Sequence, residues 1–259
     1  MLFEIISDIH LDGFLEFHGD FFVPKTETLV LLGDICQVDQ IDRQLGFFEK
    51  INKAWKRVFY IMGNHEFYNG FIGSAASIIK QKLRHLKNIV ILDDEVIKVD
   101  GILFIGSTLW TDMMGCDPMA KLACKRGISD YNYIFTGKSL SVSSKPISPD
   151  DTYKLFIKHY DFLQRNVLTT NEPVVILTHH APSFKSVNTQ FKGSILNAAF
   201  VNELDDFILF NKHIKVWCHG HTHGTFDYMI EHCRVVCHAK GYRGESLHIY
   251  NYRPKVIEV

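Results

Sequence analysis

Short apolar stretches punctuate the chain at residues 2–6, 29–32, 58–62, 174–177 and 214–218. They are shorter than a helix needs, and each predicts a buried strand. All five end alike. The first runs into Ser7-Asp8-Ile9-His10, the second into Gly33-Asp34, and the third into Gly63-Asn64-His65-Glu66. The fourth meets Thr178-His179-His180-Ala181-Pro182, and the fifth meets His219-Gly220-His221-Thr222-His223-Gly224. Helical periodicity predicts helices over about 40–56, where Ile41, Leu45, Phe48 and Ile51 or Trp55 share a stripe, and over 74–86 and 197–210. Ser148-Pro149-Asp150-Asp151 opens a further helix, with a capping serine, proline at the first helical position and acids in the first turn. It runs to about Asn166. Alternating runs at 95–99, 102–106, 226–230, 234–238 and 247–250 predict hairpins and a second, more antiparallel sheet.

No repeat, low-complexity tract or linker divides this pattern, so residues 1–259 read as one α/β domain. In open α/β sheets the ligand crevice lies beyond the carboxyl ends of the strands. Five polar strand ends therefore predict one site. The least regular part, residues 107–145, holds Trp110, Asp112, Arg126, Asp130, Tyr131 and Tyr133. Long irregular segments in compact domains are often lids or binding loops, so this one reads as a lid or substrate-binding insertion, against a solvated excursion.

Composition narrows the function. A chain of 259 residues that is 46% hydrophobic can bury a sizeable core. Its formal net charge of -1 offers no basic field for sequence-independent nucleic-acid binding. The six cysteines form no Cys-x-x-Cys pair and read as reduced thiols. The start of the chain has neither a basic region nor an apolar stretch of signal length, and no run is long enough to span a bilayer. A soluble, cytoplasmic protein is expected.

The chemistry is concentrated in His219, His221 and His223. Neutral imidazoles at the end of a core strand need a partner for each nitrogen, and protonated ones repel. A metal ion answers both problems. His179 directly ends its strand, and His180 beside it is the alternative ligand. His219 reads as support for a neighbouring ligand.

Taken together, Asp8-x-His10, Gly33-Asp34, Gly63-Asn64-His65-Glu66, the His179 segment and Gly220-His221-Thr222-His223 resemble the motif set of the calcineurin-like metallophosphoesterase superfamily, in its order. The resemblance implies a four-layer α/β/β/α sandwich with two mixed sheets, and two divalent ions between the sheet edges. By motif, Asp8, His10 and His223 hold one ion, Asn64, His179 and His221 hold the other, and Asp34 bridges. The mixed nitrogen and oxygen donors suit Mn, Fe, Zn, Co or Ni better than Ca. The implied reaction is hydrolysis of a phosphodiester or phosphomonoester by a hydroxide that bridges the metals, with His65 as hydrogen-bond or proton donor to the leaving oxygen.

The sequence Ile35-Cys36-Gln37-Val38-Asp39 after Gly33-Asp34 departs from the protein-phosphatase branch, so that branch's substrates do not transfer. A small or nucleotide-like phosphate ester is the first expectation. A metal-dependent nuclease is the second, with nucleic acid as substrate despite the near-neutral charge. A catalytically weak protein-binding scaffold is the alternative of another class. Trp110 and Asp112 are the first candidates for a wall that orients the ester's organic group, and Arg126 and Tyr131 come next as phosphate or base contacts.

Overall fold

The computed structural model describes residues 1–13, 17, 19–242, 244, 245 and 251–259. The expected strand over 247–250 lies outside the described residues. In the first half, β1 (Leu2–Ile6), β2 (Thr28–Leu32), α1 (Leu45–Ala54) and β3 (Arg57–Ile61) precede the two-residue strand β4 (Gly70–Phe71). They are followed by α2 (Ala75–Leu83), β5 (Ile89–Ile91), β6 (Glu95–Val99) and β7 (Ile102–Ser107). Next come α3 (Met113–Cys116), α4 (Pro118–Gly127), α5 (Asp130–Tyr133) and β8 (Ile134–Phe135). The second half contains α6 (Pro149–Leu168), β9 (Val174–Thr178), α7 (Asp205–Phe210) and β10 (Ile214–His219). The strands β11 (Thr225–Ile230), β12 (Cys233–His238) and β13 (Lys255–Glu258) end it.

Two mixed sheets stack face to face. One has the order β13-β1-β2-β3-β5, with only β13 antiparallel to its neighbour. The other has the order β11-β12-β10-β9-β7-β6, parallel through its centre with an antiparallel hairpin at each edge. Alternation along each strand explains the layering. Val30 and Leu32 join Phe3, Phe59, Phe104, Val175 and Val216 between the sheets, whereas Leu29 and Leu31 face Phe48, Ile51 and Ile79 of the helical layer. Phe104 meets Phe3 and Phe59 across the interface, with ring centroids 5.6 and 5.3 Å apart. Helix α6 packs on β7, and Phe207 of α7 meets Trp217 of β10, which closes the α/β/β/α sandwich. Among the described residues no helix is long and apolar enough to cross a membrane.

Several elements differ from expectation for local reasons. The predicted helix over 197–210 is a 3-10 turn, Ile195–Ala199, and the short α7. Backbone groups of residues 200–204 pair instead with Ala181 and Pro182 (Ala181 N–H to Phe200 O, Asn202 N–H to Ala181 O, Leu204 N–H to Pro182 O). Tertiary pairing has overridden a helical pattern. Residues 38–44 of the helix expected over 40–56 form a 3-10 segment. Section 107–145 is more regular than its composition suggested: α4 is capped by the Asp117 side chain and has Pro118 in its first turn. The pattern did not predict β5 and β13.

Candidate metal centre

The polar strand ends do converge, through left-handed backbone more than through strand alternation. Asp8 (φ 52°), His10 (φ 43°), Asp34 (φ 53°), His221 (φ 66°) and His223 (φ 46°) all occupy the region that favours glycine. For other residues this conformation costs about 1–3 kcal/mol each, and it persists where surrounding contacts fix it. Here they do. Asp8 and His10 donate their N–H groups to the carbonyls of Gly33 and Asp34, at 3.0 and 3.1 Å. Glycine at position 63 permits the close approach, since a Cβ there would overlap the Asp34 carboxylate and the His179 ring. The fully enclosed Glu66 carboxylate ties the loops together, accepting N–H bonds from Asp34 (2.9 Å), Ile35 (2.7 Å) and Gly63 (2.7 Å) and the Tyr60 hydroxyl (2.8 Å).

Donor atoms gather in two groups that share Asp34. Those of Asp8, His10, Asp34 and His223 lie within 4.8 Å of one another, as do those of Asp34, His179 and His221. Most ligand candidates are oriented by a partner on the far side, His10 being held by ring packing against Tyr242 instead. The His179 Nδ1–H donates to Leu32 O at 2.7 Å, which leaves Nε2 facing Asn64 Oδ1 (3.0 Å), His221 Nδ1 (3.2 Å) and Asp34 Oδ1 (3.3 Å). His221 Nε2–H donates to Ala199 O at 3.2 Å. Asn64 donates its amide N–H to Asp130 Oδ1 at 2.8 Å, which turns its own oxygen inward. In the other group, His223 Nδ1 lies 2.6 Å from Glu245 Oε2, and its Nε2 lies 3.1 Å from His10 Nε2 and 3.5 Å from Asp8 Oδ1. Ser7 Oγ–H donates to Asp8, whose carboxylate also accepts the His221 N–H at 3.0 Å. Ring nitrogens, carboxylate oxygens and an amide oxygen thus converge on the same two places. A divalent cation fits such a set.

The electrostatics of the protein groups alone express the same crowding. Burial would depress His223, but the Asp8 and Glu245 carboxylates outweigh it and lift it to about 10. Burial likewise opposes Asp34 and Asp8 at His179, which rises to about 9. At His10 burial dominates and pushes it down to about 3. Burial would raise Asp34, yet the charges of His179 and His65 hold it well below the usual carboxylate range.

His180 and His219 stand outside both groups. His180 Nδ1 bonds Thr108 O at 3.1 Å, and His219 bonds Ser186 Oγ at 2.7 Å and Gly220 O at 2.8 Å. His65 stacks on Tyr68 with centroids 4.1 Å apart, and its Nε2 lies 3.9 Å from Asp34 Oδ2. A cavity of about 390 Å³ opens beside His65, His221 and His223. The side chains singled out for substrate do not line it. Trp110 is buried against Phe67 and His180, Asp112 caps α3, Arg126 is exposed on α4, and Tyr131 is buried with its hydroxyl near Thr152. Section 107–145 instead contributes Gly127, Ile128, Ser129 and Asp130, which line the cavity together with Val187, Phe191, Leu196 and Phe200. Sequence reasoning missed Asp130, Tyr242 and Glu245 as contributors. They belong to no motif, and only the fold brings them here.

Comparison with known proteins agrees with this geometry. Residues 1–225 match the calcineurin-like phosphoesterase family, and the chain belongs to it. It is accordingly a metal-dependent phosphoric ester hydrolase. Uncharacterized protein L509 of Acanthamoeba polyphaga mimivirus is 30% identical over 230 residues, covering 84% of this chain and 79% of that protein. Among solved structures, a phosphopantetheinyl hydrolase from Mycobacterium tuberculosis superposes with a TM-score of 0.66 at 15% identity, covering 95% of this chain and 93% of that one. A dimetal phosphatase from Danio rerio gives a TM-score of 0.51 at 14% identity, covering 91% and 86%. At such identities these two structures speak for the fold alone.

Proposed function

We propose that the centre is dinuclear, with Asp34 bridging one cation held by Asp8, His10 and His223 and another held by Asn64, His179 and His221. The observation that carries this reading is the shared carboxylate, since Asp34 belongs to both donor groups. Donors of imidazole, carboxylate and amide without thiolate fit Mn, Fe, Zn, Co or Ni. When bound, the cations supply Lewis-acid charge for the phosphoryl oxygens and lower the pKa of a water that attacks phosphorus. The protein's residues do the rest. Asp34 places negative charge between the cations, and the backbone N–H of His65, donating to Asp34 Oδ1 at 2.9 Å, holds that carboxylate in place. His65 presents Nε2 toward the cavity and donates to the leaving oxygen as its bond to phosphorus breaks.

The substrate in this reading is a phosphodiester or phosphomonoester with a small or nucleotide-like organic group. Val187, Phe191 and Leu196 together with residues 127–130 form the wall for that group. This gives section 107–145 a part in substrate choice through its residues 127–130. The nuclease reading gains nothing from a net charge of -1, and the complete donor set argues against a scaffold. Free cysteines, five of the six buried, fit a cytoplasmic location.

The test is reconstitution. Protein stripped with a chelator is titrated with Mn, Fe, Zn, Co or Ni and assayed on a panel of mono- and diesters. Two equivalents bound per chain, with hydrolysis following the second, is the expected result. Saturation at one equivalent, or hydrolysis by stripped protein, would overturn the dinuclear reading.

A further inference from the structure

Tyr242 occupies a position that the motif set does not account for. It lies far along the chain from every strand-end motif except the last, yet its ring stacks on His10 with centroids 4.3 Å apart and an interplanar angle of 27°. It also meets the His223 ring edge-on at 4.8 Å. Its hydroxyl lies 3.1 Å from His65 Nε2, the atom assigned above to the leaving oxygen. Both side chains line the same cavity, and Tyr242 is 43% exposed.

The backbone around it is anchored. Ala239 bridges Ser7 in parallel register, Lys240 N–H donates to Ser7 O at 3.0 Å, and Gly241 N–H donates to Asp8 O at 3.1 Å. The Tyr242 N–H then donates at 2.7 Å to Glu245 Oε2, the same oxygen that faces His223. Gly241 is required in this run. Its φ is +73°, and a Cβ there would come within 2.7 Å of Glu245 Oε2. The phenol is therefore held at the site by its main chain as well as by its ring.

Resting on the dinuclear reading and on the role of His65 in it, we propose that Tyr242 is a second catalytic residue, which donates a hydrogen bond to the leaving oxygen alongside His65. The geometry is simple. An oxygen about 3 Å from each of two donors that are themselves 3.1 Å apart completes a near-equilateral triangle, within ordinary hydrogen-bond lengths for both. As the phosphorus–oxygen bond breaks, its electron pair passes to the leaving oxygen. That oxygen takes a proton from His65 Nε2 and a hydrogen bond from the Tyr242 hydroxyl, which keeps its own proton. Two donors aimed where negative charge develops act like an oxyanion hole on the leaving side.

Tyr242→Phe removes the hydroxyl and keeps the ring that packs on His10, so it is the informative variant. Its kcat/KM on esters with poor, alkyl-type leaving groups should fall by about 10- to 100-fold, less than the ~10²- to 10³-fold typical for a sole donor because His65 still serves the same oxygen. On nitrophenyl esters, whose leaving oxygens need little help, the loss should stay within about threefold, with bound metal per chain equal to wild type. The double variant His65→Ala/Tyr242→Phe should lose less than the product of the two single losses, because both donors serve one oxygen. Equal slowing of all esters by Tyr242→Phe, or faster turnover from a phenol that merely obstructs the cavity, would overturn the inference. If His65→Ala shows the leaving-group dependence and Tyr242→Phe does not, the inference falls while the role of His65 stands. A wild-type protein that cleaves no ester with any divalent metal would overturn both.

Discussion

The two donor groups share Asp34 but differ in what holds their other members. In the inner group His179 is fully enclosed, and main-chain carbonyls of Leu32 and Ala199 orient His179 and His221. Those carbonyls cannot turn without moving a strand or its flanking loop. In the outer group His223 is 18% exposed and is oriented by Glu245, a side chain that is itself 43% exposed. For these histidines, main-chain anchoring makes the inner pair rigid, and side-chain anchoring leaves His223 adjustable at the mouth of the cavity. The inner cation should therefore exchange slowly and the outer one quickly.

Breaking the shared element should abolish that distinction. Asp34→Asn removes a ligand from both groups, so affinity for both cations should fall by more than the ~100-fold typical at the top of the range for a supporting residue. Elemental analysis of folded protein reads this directly, and full occupancy of both sites would refute the bridge. His65→Ala should leave both occupancies intact while kcat drops roughly 10²-fold or more on poor leaving groups. Loss of metal in that variant would move His65 into the ligand set. Asp130→Ala frees the Asn64 amide to turn, and should weaken the inner cation alone by about 10- to 100-fold. Equal weakening of both cations would show that the groups are not separately supported.

Proton release sharpens the comparison further. His179 and His223, raised to about 9 and 10 by neighbouring carboxylates, are protonated at neutral pH when only protein charges act on them. A cation must displace those protons, so affinity should rise with pH by about tenfold per unit for each proton displaced. The rise should level off near 9 for the inner cation and near 10 for the outer one. Calorimetric titrations in buffers of differing ionisation enthalpy would count the protons, and a release of none would contradict the assignment of these nitrogens. The smallest effect is expected at Glu245→Ala. Because Glu245 is solvent-facing, the outer affinity should drop by less than about tenfold and the inner affinity should not change. A larger change at the inner cation would invert the comparison.

Much of this was legible in the sequence, because strands buried on both faces leave unmistakable apolar runs and their polar ends carry the chemistry. The five runs correspond to β1, β2, β3, β9 and β10, and the residues that follow them, from Asp8 to His223, meet at one place. How they meet was not legible. Alternation continued past a strand tip would put Asp8 and His10 on one side, but the chain leaves β1 before either residue and turns through left-handed backbone. Tyr242, Glu245 and Asp130 carry no local signal, since a residue that acts by reaching across the fold has no spacing to betray it. The lining of the cavity was not legible for a similar reason. Trp110 and Tyr131 have the chemistry of contact residues, but the packing needs of large rings bury them, and the neighbouring Gly127–Asp130 stretch faces the cavity instead.

The bond from the His221 amide to Asp8 spans 213 positions of sequence. A contact of that span forms only after long loops have closed, so it belongs to the late, slow part of folding. Among the described residues neither donor group lies within one hairpin or one helix, so neither can capture a cation in advance of the rest. Metal in the medium should consequently leave the folding rate nearly unchanged and act on the reverse step, slowing unfolding once the sheets have docked. In the dinuclear reading the ions are a latch on the finished molecule, and chelation should open it from the side of kinetic persistence rather than assembly.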